Sequence, residues 1–241
     1  MQAAPVRRNR RLLIATRNAH KVGEIRAILG TDFDYLTLND FPGAPEVVED
    51  AGTFAGNATK KSVELARWLA ASGNSASGKS HQLPDFVLAD DSGLEVDALN
   101  GAPGVHSARF AALDTGSPGN SPTAENNAKL LRLLKDVSRE KRAARFRCVV
   151  ALTPVVATRA KGSSPICAAA ESELQTELFN GVCEGSLGTE LRGRGGFGYD
   201  PLFFPTAYDK TFGELSETVK NQLSHRAKAL AALKDWFNRE R

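Results

Sequence analysis

Leu12, Leu13, Ile14 and Ala15 form an unbroken apolar run, three polar residues follow, and then Val22, Ile25, Ile28 and Leu29 recur at helical spacing. The pattern predicts a strand, a polar turn and a helix, with Gly30 as the glycine that ends it. A second strand is predicted over residues 34–38 and a loop over 40–45. Thr53 caps a helix reaching about Ala71, because Phe54, Ala58, Val63, Leu65, Ala66 and Leu69 give it an apolar side free of proline. Phe86, Val87, Leu88 and Ala89 read as a buried strand that delivers Asp90 and Asp91 to a turn at Ser92 and Gly93, after which Leu94, Glu95 and Val96 alternate. A helix over 123–134, strands over 145–153 and 168–178, and a closing helix over 223–237 with Ser224 as its N-cap complete the series. Early strand–helix units followed by longer strand pairs predict an α/β fold, a mixed central sheet with flanking helices and two lobes around a cleft. No internal repeat interrupts this order, and residues 11–241 read as a single domain.

Composition narrows the class. The chain has 241 residues, 41% hydrophobic and 24% charged, as in ordinary soluble globular proteins. No run approaches the roughly 20 apolar residues of a membrane helix, so no membrane partner is expected. Residues 1–10 read as a disordered basic tail carrying Arg7, Arg8 and Arg10, with Arg11 beside it; the apolar run that follows is too short for a secretory signal. The net charge of +3 owes much to these arginines. The body is close to neutral, without the basic excess of a nucleic-acid-binding domain. Cys148, Cys167 and Cys183 are an odd set without C-x-x-C spacing, which argues against disulfides and zinc and for a reducing cytoplasm. Cys148 reads as a small buried hydrophobe. The Gly/Ser-rich stretch 72–81 and residues 118–122 read as surface loops.

Five segments carry candidate chemistry. Thr16, Arg17, Asn18 and Lys21 stand at a strand-to-helix junction, where free N–H groups and the helix dipole attract phosphate; a simple helix cap is the alternative, and the spacing is not that of a P-loop. Asp90 and Asp91 follow a buried strand and suit a hard cation such as Mg²⁺, or an Asx-turn. Adjacent strand residues point to opposite sides of a sheet, so only one of the two easily faces a given site. Glu49 and Asp50 precede a helix on which Asn57 and Lys61, four apart, share a face suited to metal and phosphate, or a solvated face. Gly196, Phe197, Gly198, Tyr199 and Asp200 combine a permissive backbone, two aromatic rings and an acid, features suited to stacking on a base or to a packed glycine turn. Lys220 with Ser224, His225 and Arg226 brings cationic donors to a helix N-terminus, or simply surface charge.

Taken in order, these segments resemble the noncanonical purine nucleoside triphosphate pyrophosphatases, the inosine/xanthosine triphosphatase (HAM1-like) family. The matching pieces are Ala15-Thr-Arg-Asn-Ala-His-Lys21; Glu49 with Thr53-Phe54 and Asn57-Ala58; Ala89-Asp-Asp-Ser-Gly-Leu-Glu-Val-Asp97; Gly101-Ala-Pro-Gly104 with Ser107-Ala-Arg109; Gly196-Phe-Gly-Tyr-Asp-Pro201; and Ser224-His-Arg226. They span nearly the whole chain. The resemblance implies Mg²⁺-dependent attack of water at the α-phosphorus of inosine, deoxyinosine or xanthosine triphosphate, releasing the monophosphate and pyrophosphate. It implies Asp91 as proton acceptor and metal ligand and Glu49 as second ligand. Thr16, Arg17, Asn18, Ala19, His20, Lys21 and Lys61 would hold the triphosphate, with Ser92 beside the reacting centre. Phe197, Gly198, Tyr199, Asp200, Lys220, His225 and Arg226 would hold the base, Asp90 would be structural, and the assembly would be a homodimer. Arg17 stands where many relatives have glycine, His106 where tyrosine is usual, and Ala227 where glycine is frequent; these departures bear on specificity. A Maf-like pyrophosphatase acting on other nucleotides is the same-class alternative, and a non-catalytic nucleotide- or nucleic-acid-binding module using the arginine tail is the alternative from another class.

Overall fold

The computed structural model of the protein describes residues 9–72, 83–156 and 175–240. Arg7 and Arg8, most of the Gly/Ser-rich segment, Cys167 and most of the strand predicted over 168–178 lie outside the described residues. The first strand, β1 (Arg10–Ile14), leads into α1 (Ala19–Leu29) and β2 (Phe33–Thr37). Next come α2 (Phe54–Ser72), β3 (Phe86–Val96), α3 (Thr123–Leu133) and the long β4 (Ala143–Pro154) and β5 (Glu177–Leu187). The chain closes with β6 (Phe203–Pro205), α4 (Glu217–Leu223) and α5 (His225–Arg239).

The six strands form one mixed sheet in the order β2-β1-β3-β4-β5-β6. β1 is parallel to both β2 and β3, and the remaining pairs are antiparallel. The apolar run of β1 is buried on both faces, as expected of an interior parallel strand. Leu12 and Ile14 point to the side covered by Ile25 and Leu29 of α1 and Leu230 and Leu233 of α5. Leu13 and Ala15 point to the side covered by Leu65, Ala66 and Leu69 of α2. A third cluster packs the far ends of β4 and β5 against β6, around Phe146, Phe203 and Phe212.

Several expectations need correction. Arg10, assigned to the tail, opens β1 opposite Phe33, and its guanidinium lies 4.8 Å from the Phe237 ring centroid. Ser92 and Gly93 make no turn: β3 runs through them and pairs with β4 from Phe86 opposite Pro154 to Val96 opposite Ala144. Gly93 answers a packing demand, since a Cβ there would collide with the Gly104 carbonyl and the Ser107 hydroxyl. Of the strand predicted over 168–178, the described part is strand only from Glu177, and β5 runs on to Leu187, pairing with β4 from Leu152 back to Ala143. The closing helix starts two residues later than predicted, and the short helix α4 before it was not anticipated.

The connection β1–α1–β2 leaves towards one edge of the sheet, whereas β2–α2–β3 returns past β1 to the other side. Strand order therefore reverses between β1 and β3. In open α/β sheets the crevice at the carboxyl ends of strands flanking such a switch point is where ligands bind. β1 stops pairing with β3 at Ile14 opposite Leu88, so the edge of β3 from Ala89 onward is left open on that side.

Candidate active site

The crevice is built from the ends of both flanking strands. Beyond β1, the Thr16 hydroxyl accepts from Asn18 N at 3.2 Å, and the Asn18 side chain caps α1 by accepting from His20 N at 2.9 Å and Lys21 N at 3.3 Å. The cap reading of Asn18 is therefore correct, and it leaves Arg17, Ala19 and His20 exposed at the rim. Lys21, on the first turn of α1, and Lys61, on α2, reach the open edge of β3 from opposite faces of the sheet. Lys21 Nζ lies 3.0 Å from Asp90 Oδ1, while Lys61 Nζ donates to the Asp90 carbonyl at 3.2 Å and lies 2.8 Å from Glu49 Oε1.

Strand alternation sends the two aspartates to opposite faces. Asp90 faces α1 and α5. Its Oδ2 accepts from Arg226 Nε at 3.2 Å and Nη2 at 2.9 Å, and from the Ser92 hydroxyl at 2.8 Å. Asp91 faces α2. Its Oδ2 accepts from Asn57 Nδ2 at 2.9 Å and its Oδ1 from Ser92 N at 3.0 Å.

From Asp90 a chain of buried ion pairs runs to the glycine-rich loop. Arg226 pairs with Glu24 of α1; Glu24 Oε1 meets Lys220 Nζ at 2.6 Å; Lys220 Nζ meets Asp200 Oδ2 at 2.7 Å; and the same oxygen accepts from Phe197 N at 2.7 Å. Carboxylates and cations alternate from Lys21 to Asp200, so the charges offset one another inside the protein. Gly196 has φ +70°, and a Cβ there would strike the Asp200 carboxylate, so the loop folds over that acid only with glycine. Phe197 stacks on His20 with ring centroids 5.6 Å apart, and Lys220 Nζ lies 4.6 Å from its centroid. Asn127 of α3 donates to the Gly198 carbonyl at 3.0 Å, and the Tyr199 hydroxyl to the Ser107 carbonyl at 2.8 Å, fixing the loop from below. His225 is buried and stacks on Phe146 at 4.8 Å. A Cβ on Gly181 of β5 would collide with the His225 carbonyl, so α5 begins flush against the sheet.

Burial opposes ionisation of Asp90, but Lys21, Arg226 and Lys61 outweigh it and hold its pKa well below the usual carboxylate range. Burial dominates at Asp91, with Glu49 adding to it, so its pKa is raised despite Asn57 and Lys21. Burial likewise raises Asp200 against the pull of Lys220. At His225, burial and the nearby Arg226 and Lys220 keep the ring neutral, with a pKa well below 6.5. Cys148 is buried under the sheet and its thiol is pushed up to about 12, as fits a packing residue.

The donor set suits magnesium. Glu49 and Asp91 would supply hard oxygen ligands, and they lie close enough for the charge of one to raise the pKa of the other. Among the described residues no group of three or more His, Cys, Asp or Glu could hold a metal unaided. Mg²⁺ ordinarily takes one or two carboxylates and fills its shell with waters and substrate phosphates.

The sequence pattern brought Lys21, Lys61, Asp91, Glu49, Asp200, Lys220 and Arg226 into view. It did not single out Glu24 or Asn127. Glu24 had a faint signal, lying one helical turn beyond Lys21 on the same face; Asn127 had none. Lys220, His225 and Arg226 are buried, not the surface charges allowed as their alternative.

Comparison with known proteins identifies the family of the chain. The family model of the Ham1 family matches residues 12–236. The dITP/XTP pyrophosphatase of Desulforamulus reducens is 43% identical over 230 residues, 95% of this chain and 96% of that one. That of Geobacter sulfurreducens is 44% identical over 93% of this chain and 95% of its own. The solved Ham1 protein of Staphylococcus aureus superposes with a TM-score of 0.72 at 31% identity, covering 96% of this chain and 100% of that one. The Mycobacterium abscessus nucleoside-triphosphatase / dITP/XTP pyrophosphatase does so with a TM-score of 0.61 at 34% identity, over 92% and 98%. With its sheet order, its crevice and these likenesses over nearly its full length, the chain belongs to the Ham1 family.

Proposed function

We propose that the crevice between β1 and β3 binds a noncanonical purine nucleoside triphosphate and cleaves it between the α- and β-phosphates. The chain is a nucleoside triphosphate pyrophosphatase, and it hydrolyses dITP, ITP and XTP to the monophosphate and pyrophosphate, removing damaged purines from the nucleotide pool. The observation that carries the reading is the arrival of Lys21 and Lys61 from opposite faces at one open strand edge beside Asp91. Two ammonium groups at that edge offset the charge of a triphosphate. Thr16, Arg17, Asn18, Ala19 and His20 contact it along the rim, and Ser92 lies next to the reacting centre.

A water oxygen attacks the α-phosphorus, the bond from it to the bridging oxygen breaks, and pyrophosphate leaves. Asp91 takes the proton of that water; burial raises its pKa, which makes it a better base than an ordinary carboxylate. Glu49 and Asp91 would hold Mg²⁺, which when bound would supply charge neutralisation at the phosphates. The purine lies at Phe197, Gly198, Tyr199 and Asp200. Lys220 has three N–H donors, two of them committed to Glu24 and Asp200, and the third suits a carbonyl at position six of hypoxanthine or xanthine. Arg226 and His225 close this end. Adenine presents an amino group there, and a buried donor left facing it penalises binding strongly.

A single folded unit that includes β1 from Arg10 onward, a homodimeric assembly and a cytoplasmic location complete the proposal. No helix among the described residues is long and apolar enough to cross a membrane. Incubation of the purified protein with inosine triphosphate and Mg²⁺ is expected to yield inosine monophosphate and pyrophosphate in equal amounts. Release of inosine diphosphate and orthophosphate would overturn the reading.

A further inference from the structure

Asn57 occupies a place on α2 where helical periodicity asks for an apolar residue. It lies three positions after Phe54 on the face turned to the sheet, beside Ala58, and is 1% exposed. A buried amide persists in such a place only when its hydrogen bonds are made. Here they are made in one orientation. Asn57 Oδ1 accepts from Ala51 N at 2.9 Å, and a backbone N–H can only donate, so the amide cannot flip. Nδ2 is thereby aimed at Asp91 Oδ2, 2.9 Å away. One side chain thus ties Asp91 to the loop that carries Glu49.

That loop is held at two further points. The Glu49 carbonyl accepts from Arg109 Nη2 at 3.3 Å, and its carboxylate pairs with Lys61, one helical turn beyond Asn57 on α2. Asp91 is held as well, since Oδ1 accepts from Ser92 N. Each oxygen of Asp91 then has one lone pair engaged by a fixed donor and one left for other partners.

We propose that Asn57 is a positioning residue that sets the spacing between the Glu49 and Asp91 carboxylates, so that the pair binds a divalent cation as a unit. The inference rests on the metal-assisted reading above. Its physical content is pre-organisation: without the amide, Asp91 loses its only side-chain donor among the described residues, Ala51 N loses its acceptor, and the two carboxylates are free to move apart under mutual repulsion. Outer partners of metal ligands typically affect affinity or activity by about 10- to 100-fold.

The test compares the wild type with Asn57→Ala and with Asn126→Ala, a control that also removes a buried asparagine bonded to backbone, but one on α3 that bonds to neither carboxylate. Two quantities are read: the thermal midpoint, and calorimetric binding of Mn²⁺ in the presence of the α,β-imido analogue of inosine triphosphate. Asn57→Ala is expected to weaken Mn²⁺ binding by about 10- to 100-fold, and to lower kcat with KM for inosine triphosphate little changed. Asn126→Ala is expected to lower the midpoint and leave Mn²⁺ binding as in the wild type. If Asn57→Ala does not fold, Asn57→Gln serves instead, because it keeps an amide but displaces it by a methylene and cannot satisfy Ala51 and Asp91 together. Wild-type Mn²⁺ affinity in a folded Asn57 variant overturns the inference. Turnover of inosine triphosphate by the wild type reports on the parent reading independently.

Discussion

Asp90 and Asp91 are neighbours of the same residue type on one strand, and they live in opposite electrostatic worlds. Asp90 looks towards α1 and α5 and is enclosed by Lys21, Arg226 and the Ser92 hydroxyl, so it stays ionised far into acid. Asp91 looks towards α2 and receives one neutral amide and one backbone N–H, so burial wins and its pKa rises. The difference shows how a sheet assigns separate duties to adjacent carboxylates: the face each one looks onto decides whether it is a fixed charge or a group that can exchange protons.

The largest effect is expected from Asp91→Asn. It should lower kcat on inosine triphosphate by about a hundred- to ten-thousandfold, the range general-base groups supply, with the thermal midpoint nearly unchanged. A variant that keeps its turnover would remove Asp91 from the chemistry. The mirror experiment is Asp90→Asn. Breaking a buried pair by removing one partner costs about 3–5 kcal/mol, so chemical denaturation should show a loss of that order. A loss below about 1 kcal/mol, within the range of an exposed pair, would mean that the Arg226 and Lys21 contacts contribute nothing.

A smaller effect comes from pH. His225 is neutral in the folded chain, with a pKa well below 6.5. Between that folded value and 6.5 the unfolded chain binds a proton that the folded chain does not, so stability falls as pH is lowered through this window. Asp91 and Asp200, with raised pKa values, act in the opposite sense as they take up protons, whereas the contribution of Asp90 is lost only in strong acid, below its ordinary value of 3.8. His225→Gln should therefore flatten the stability profile below pH 6.5 by on the order of 1 kcal/mol per pH unit. Profiles that superpose would show that the ring is not held neutral by its surroundings.

The local parts of this arrangement were legible in the sequence. The unbroken apolar run of β1, the Asn18 cap, the glycine after α1 and the Ser224 cap are all decided within a few residues, and each appears where the pattern put it. So was the opposite facing of Asp90 and Asp91, which strand alternation alone requires. Apart from the shifted start of α5 and the unforeseen α4, the misreadings are non-local. Asp-Asp-Ser-Gly has the composition of a turn, yet pairing with β4 and close contact with Gly104 and Ser107 override it. Ser-His-Arg at a helix start has the composition of a surface, yet the partner of Arg226 is Asp90, 136 positions earlier in the chain. Glu24 looked like any helical glutamate until Lys220 and Arg226 arrived from the other end of the molecule. Propensity reads neighbours along the chain, and a buried charge is decided by neighbours in space.

Gly181 makes the same point through an atom that is missing. With no side chain on β5 at that position, the first turn of α5 settles directly onto the sheet, near enough for Arg226 to span to Asp90. A single methyl group would stand α5 off like a shim under a hinge, and the guanidinium would be carried away from the aspartate it neutralises. Asp90 would then be a buried carboxylate with one cation fewer, left to Lys21 and the more distant Lys61. The depth of the crevice is thus gauged from behind the sheet, by a position that touches neither substrate nor metal.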